Sequence, residues 1–224
     1  DKPVLIYDQQ SIGTIEEMLS TVVKDSFAAI KEANKIVSST APYTAPTGVA
    51  HALQADVTNV FKAPYTTSES IFSMPFASNE TPGGQNQLGY YYGPAAFNGG
   101  NGEYSLLPTG IIANTGWKAT DRRRTMVAVF GGKSYLTKYS VPSIFTDYAP
   151  VIRYAEVLLS LAEARVRSTN TVDAQAIALL NAVRSRSDAS TVFTAADFAN
   201  STALAQKTKL LFPKAKRMVS ENKK

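Results

Sequence analysis

The chain has 224 residues, 44% of them hydrophobic and 18% charged, which is ordinary for a folded protein with a sizeable core. Its net charge of +5 is uneven: Lys207, Lys209, Lys214, Lys216, Arg217, Lys223 and Lys224 crowd the C-terminus, and residues 1–206 carry 16 basic and 17 acidic side chains, a balance that argues against a nucleic-acid partner. The absence of cysteine excludes disulfides, thiol nucleophiles and zinc–thiolate sites, and no run of 18 apolar residues is present to span a membrane.

The opening Asp1-Lys2-Pro3 has neither initiator Met nor signal peptide, so targeting information is expected upstream. Ile15, Met18, Leu19, Val22, Val23, Phe27, Ile30, Ala33 and Val37 recur at spacings of three and four and predict a helix over 15–37, with Thr14 before its acidic first turn. A second short helix is expected from about Val49 to Phe61, and Ser70–Met74 reads as a strand. From Asn79 to Gly102 glycine and turn dipeptides dominate around Tyr90-Tyr91-Tyr92, and a long loop is expected; such loops are often functional. Thr125–Phe130 and Lys133–Tyr139 read as two strands joined at Gly131-Gly132. Pro150 to Arg167 predicts a helix with Pro150 in its first turn, apolar on nearly every side and therefore buried by neighbours. Ser168-Thr169-Asn170 makes a turn. Thr171 is then expected to cap a second helix whose stripe is Ala176, Leu179, Leu180 and Val183, giving a helical hairpin. A third helix is expected from Thr194 to about Ala205. The Lys-rich, Pro-interrupted end from Lys207 is assigned no structure.

Support for catalysis is thin. His51, the single histidine, sits in an ordinary Ala-His-Ala-Leu context, and no Gly-x-Ser-x-Gly elbow accompanies it. Histidine-based metal sites are unavailable, no metal is expected, and no cofactor motif is present. Gly131-Gly132-Lys133-Ser134 resembles the end of a phosphate loop, but Val127 stands where that motif needs glycine, so a hairpin turn is the better reading. No carboxylate pair stands out for glycosidic cleavage. Arg153 with Glu156, and Glu163 with Arg167, have the spacing of helix ion pairs that fasten a scaffold. In Asp121-Arg122-Arg123-Arg124, one arginine is expected to pin a carboxylate or carbonyl in the core. The aromatics Tyr90, Tyr91, Tyr92, Phe97, Tyr104 and Trp117 lie in or beside polar, Gly-rich loops. They either form a stacking platform for sugar rings, with Asn98 and Asn101 bonding hydroxyls, or plug the loops onto the helices.

Asp147–Ala164, with Arg153-Tyr154-Ala155-Glu156-Val157-Leu158-Leu159 and Ala162-Glu163-Ala164, resembles the signature of the SusD/RagB family of outer-membrane nutrient-binding lipoproteins of Bacteroidetes. Leu180-Asn181-Ala182-Val183-Arg184-Ser185-Arg186 is similar to the family's Leu-Asn-x-Val-Arg-x-Arg. Ser68–Phe72, Asp121–Arg123 and Lys138-Tyr139 give weaker matches in the same order. The resemblance implies a mainly α fold with irregular loops and a few short strands on a tetratricopeptide-like scaffold. It implies one SusD-like domain over residues 1–206, a C-terminal portion of the family's longer chains. Scaffold pieces are expected near 14–40 and 149–187, a loop-rich binding region near 63–146, and a divergent basic tail over 207–224. In this reading Arg153, Tyr154, Glu156, Glu163, Asn181, Arg184 and Arg186 are structural, and Tyr90, Tyr91, Tyr92, Asn98, Asn101 and Trp117 are the candidate ligand residues. The implied function is a non-catalytic cell-surface receptor, lipid-anchored upstream of this chain. It would deliver oligosaccharide or polysaccharide, or sometimes peptide, to a TonB-dependent, SusC-like transporter. The alternative is a helical module that docks the transporter without binding glycan.

Overall fold

The computed structural model describes residues 25–79, 87–142 and 145–211. The chain divides into two compact units. One comprises residues up to Leu53, Ser68–Phe72 and everything from Ile152; the other comprises Gln54–Thr67 and Ser73–Val151.

The first unit is helical. Its centre is α3 (Tyr154–Thr169), which packs against α1 (Ser26–Ala33), α4 (Ala174–Ser185) and α5 (Ser201–Leu211). Ten of its sixteen residues are buried, among them Val157, Leu158, Leu161 and Val166. This is what an all-round apolar sequence requires, because each face must leave water. Ala162 and Ala164 are fully buried and admit close neighbours. Asn170, in the left-handed region at φ 51°, ends the helix. On α4, Ala176, Leu179 and Leu180 are buried as the stripe predicts, and Val183 is half-buried against the same core.

Several expected element ends move, each because a specific hydrogen bond captures the backbone. Of the helix expected over 15–37, residues up to Lys24 and the Thr14 cap lie outside the described residues. From there Asp25 caps α1 by accepting from Phe27 N (2.9 Å) and Ala28 N (3.2 Å). The helix stops at Ala33, and the Ile36 carbonyl takes the Tyr154 hydroxyl instead (2.7 Å). Residues 49–53 are not helical. His51 O accepts from Ala45 N and Ala52 N donates to Ser68 O, so only Val57–Phe61 winds, as a 3-10 turn capped by Asp56. Pro150 does not open a helix: Ala149–Arg153 forms strand β4, which pairs with β1 (Ser70–Met74). Val151 and Ile152 favour that extended state, and a two-stranded sheet tolerates proline. Thr171 is not the cap of α4; its hydroxyl bonds Thr169 Oγ1. Asp173 caps, accepting from Ala176 N at 2.7 Å. The third helix is also displaced. Thr194 and Asp197 form a capping box on a single 3-10 turn, and α5 starts at Ser201 and runs on to Leu211, past Lys207.

The second unit is rich in turns. Val127–Phe130 (β2) and Lys133–Leu136 (β3) form the expected antiparallel hairpin, with Phe130 opposite Lys133. Gly131 and Gly132 turn at φ 54° and 75°, which L side chains resist. The expected long loop contains a short helix, α2 (Leu88–Tyr92), which carries the three tyrosines; residues 80–86 lie outside the described residues. Asp147 is 1% exposed and is a polar hub of the unit. It accepts from Tyr65 Oη (2.9 Å), Ser140 N (3.0 Å) and Val141 N (2.7 Å). Tyr65 stacks on Tyr148 with ring centres 4.6 Å apart.

Candidate functional site

The tyrosines form one aromatic group. Tyr90 meets Tyr91 and Phe145 edge-on at 5.5 and 5.8 Å, and Tyr104 meets Tyr91 at 6.3 Å and Tyr92 at 5.6 Å. Backbone bonds fix the loop beneath them: Asn101 N donates to Tyr90 O (2.7 Å) and Tyr104 N to Tyr91 O (3.1 Å). Gly100 makes this closure sterically feasible, because a Cβ there would lie 2.3 Å from the Gly93 carbonyl oxygen. The rings are half-buried and Tyr104 is exposed, so each is held at one edge and open at another. Burial and the neighbouring Tyr104 push the Tyr92 phenol above its ordinary pKa, so it stays a neutral donor.

The two asparagines differ. Asn101 is exposed at the rim of this group, and its amide donates to Glu103 Oε1 (2.6 Å). Asn98, at φ 48°, spends its amide on Ser140 O (3.1 Å), a loop-fastening contact. Trp117 makes no ring contact with the tyrosines among the described residues. Arg124 lies 4.4 Å over its ring and donates to its carbonyl, so one face of the indole is covered.

The other arginines of that run are structural. Arg123 grips buried Asp121 through Nε (2.9 Å) and Nη2 (2.5 Å), and Arg122 pairs with Asp56. Asp56 is held down at about pKa 2 by the Thr58 backbone bond and by Arg122. The expected arginine that pins a core carboxylate is Arg123, on Asp121; Arg122 and Arg124 bind groups nearer the surface. His51 is buried, with Nδ1 3.2 Å from Ser68 O and its ring stacked on Tyr154, a structural setting.

The second unit also contains a cavity of about 210 Å³, lined by Phe97, Met126, Thr58, Thr125, Thr137, Ser140, Lys62 and Lys138. Phe97 links it to the tyrosine loop: a Cβ on Gly93 would lie 3.2 Å from the Phe97 ring. Sequence reading passed over these hydroxyl and lysine residues. They come from three separate stretches, with only Lys138 in a recognised match, and only folding assembles them. Among the described residues no group of three or more His, Cys, Asp or Glu is placed to hold a metal ion, and no helix is long and apolar enough to cross a membrane.

The signature residues converge on the helical unit. Glu69, fully buried, accepts from both terminal nitrogens of Arg186, Nη1 and Nη2, the latter at 2.8 Å, and lies 3.9 Å from Arg153. Arg153 also faces Glu156 at 3.4 Å, and Tyr154 N donates to Glu69 O (2.8 Å). Arg184, 5% exposed, pairs with Asp188 at 3.5 Å, and Asn181 closes a two-way bond with the Phe193 backbone at 2.8 Å each way. Glu163–Arg167 (2.6 Å) pairs one turn apart on α3 itself. Three separate sequence matches therefore describe one buried ionic joint and its surroundings.

Residues 137–208 match the SusD family model. A SusD superfamily protein from Bacteroides fragilis has the same fold, with a TM-score of 0.67 and 28% identity over 89% of this chain and 42% of that one. Surface glycan-binding protein A from Bacteroides thetaiotaomicron, in complex with laminarihexaose, aligns at a TM-score of 0.61, with 18% identity over 92% of this chain and 51% of that one. A SusD superfamily protein from Parabacteroides distasonis gives 0.64, 17%, 93% and 49% for the same four measures. The chain therefore spans about half the length of these solved structures or less. A comparison with curated proteins finds no match. With its signature segments joined around Glu69 and its mainly helical, tetratricopeptide-like scaffold, the chain is similar to SusD superfamily proteins, and its residues 137–208 match the SusD family model.

Proposed function

We propose that the chain is the glycan-binding portion of a cell-surface uptake protein, not an enzyme, and that it presents oligosaccharide to a TonB-dependent, SusC-like transporter in the outer membrane. The full-length form would reach that surface through a lipid anchor upstream of this chain. The observation that carries the reading is the tyrosine group, with Tyr91, Tyr92 and Tyr104 held at one edge and accessible at the other, and Asn101 at the rim. Aromatic rings stack on the apolar faces of sugars, and a few fixed polar groups read the hydroxyls. The similarity to a structure holding laminarihexaose supports the same ligand class. Tyr90 and Asn98 then shape the loop, and Trp117, one face already occupied, is the outlying candidate.

The test is calorimetric titration of the chain with a panel of neutral and charged oligosaccharides. Tyr91→Ala and Tyr92→Ala should each weaken binding by about tenfold, the scale of one lost aromatic contact. Trp117→Ala should weaken it less. Binding to no member of the panel, or tyrosine variants as tight as the parent, would sink the reading.

A further inference from the structure

Over residues 81–117, which take in α2 and the loop closed on it, the chain carries one charged side chain, Glu103. The other polar side chains there are amides, hydroxyls, phenols and one indole, so this carboxylate sets the charge of the tyrosine loop. Its place is fixed from both sides. Asn101 N donates to Tyr90 O (2.7 Å) and Tyr104 N to Tyr91 O (3.1 Å), which lays residues 101–104 along α2 and seats Glu103 between the rim asparagine and Tyr104. Tyr104 is 40% exposed and meets both Tyr91 and Tyr92. Glu103 is exposed, yet its side chain is held: Oε1 accepts from the Asn101 amide at 2.6 Å. A carboxylate offers about four lone-pair sites, and this bond takes one.

We propose that Glu103 reads adjacent hydroxyls of a neutral oligosaccharide stacked on Tyr104 and its neighbours, and that the same charge turns away glycans bearing carboxylate or sulfate groups. The inference rests on the glycan-binding reading above and adds the substrate class. Neighbouring sugar hydroxyls donate to the carboxylate oxygens, and hydrogen bonds to an ionised acceptor are roughly twice as strong as those between neutral groups. The Asn101 bond orients the acceptor beforehand, so less side-chain freedom is lost on binding. An ionised substituent in the same place offers no donor and meets a like charge, a repulsion that salt screens at an exposed rim.

The experiment titrates the 224-residue chain with laminarihexaose, maltohexaose and cellohexaose, each compared with its own form oxidised to uronate at the primary hydroxyls. The two forms share linkage and length and differ in charge. Measurements at about 50 mM and about 500 mM NaCl separate charge from shape. At least one neutral chain should bind about tenfold or more tighter than its oxidised form at low salt, and the margin should narrow at high salt. Glu103→Gln keeps an oxygen for the Asn101 amide and loses the charge. It should bind the neutral chain about fivefold more weakly and the oxidised form no more weakly than the parent does. Thermal melts check folding, and the margin measured on the parent needs no variant. Oxidised chains bound as tightly as neutral ones, with tyrosine dependence intact, overturn this inference and leave glycan binding standing. A Glu103→Gln variant that binds the neutral chain as tightly as the parent also overturns it. No binding of any chain, neutral or oxidised, defeats the glycan reading, and this inference with it.

Discussion

Asp147 shows how much one side chain can hold in a turn-rich unit. It accepts from Tyr65, Ser140 and Val141, the first of them 82 positions away. Asp147→Ala removes the acceptor of two part-buried backbone donors and of the buried Tyr65 phenol, and should cost about 3 kcal/mol in a urea melt. Gly100 sets a second limit at this scale. Gly100→Ala forces a methyl against the Gly93 carbonyl oxygen, so it should loosen the tyrosine loop and lower glycan affinity before it lowers overall stability. Tyr154 links packing to pH. Burial raises its pKa, as burial and then the Asp147 bond raise that of Tyr65. Both phenols keep their protons in the folded state above the ordinary value of about 10. The folded state then binds more protons than the unfolded state, and stability falls as pH rises beyond about 10. Tyr154→Phe should lose about 1 kcal/mol near neutrality with its bond to Ile36 O, and should flatten the alkaline limb. Circular dichroism between neutral and strongly alkaline pH follows both effects.

At the scale of elements, hydrophobic periodicity located the buried helix pair, and tertiary hydrogen bonds fixed its ends. Helix α3 was legible because no other element could bury so continuous an apolar run. Its start was not legible: Ala149–Arg153 is equally apolar, and only pairing with β1 makes it a strand. Asp173 lies two residues beyond the expected cap and wins because it satisfies two demands. It accepts from Ala176 N and grips Arg165 at 2.8 and 3.0 Å. Burial works against its ionisation, but the Arg165 and Ala176 bonds hold its pKa below the usual value. Asp173→Ala should cost about 1–2 kcal/mol, measurable by denaturant midpoint. The β2–β3 hairpin was legible from Gly131-Gly132. No heavy atom lies within 4 Å of a Cβ built on either glycine, so Gly131→Ala or Gly132→Ala should cost about 1 kcal/mol through backbone strain alone.

At the scale of the molecule, the helical unit depends on the joint between Glu69 and Arg186, which lie 117 positions apart. Removing one member strands a buried charge. Glu69→Ala should destabilise by about 3–5 kcal/mol, and replacing both partners with apolar residues of similar volume should cost much less. A double-mutant cycle by urea unfolding separates the two. If the single and double variants were equally unstable, the joint would not be the origin of the loss. The same joint explains why the recognisable segments are scaffold. They meet one another in the core, whereas the tyrosines and the lysine-bearing cavity lie in the loop-rich unit.

The sequence by itself determined the buried helix pair, the glycine hairpin, the tyrosine-rich stretch and the resemblance to SusD proteins, because apolar period, turn chemistry and signature spacing are local properties of the chain. Only the tertiary structure decided that α3 begins at Tyr154, that Tyr104 joins Tyr91 and Tyr92 while Trp117 sits with Arg124, and that Lys62 and Lys138 share one cavity. The physical reason is the same in each case. Long-range hydrogen bonds, ring contacts and cavity walls depend on residues tens of positions apart, whose meeting no local pattern encodes.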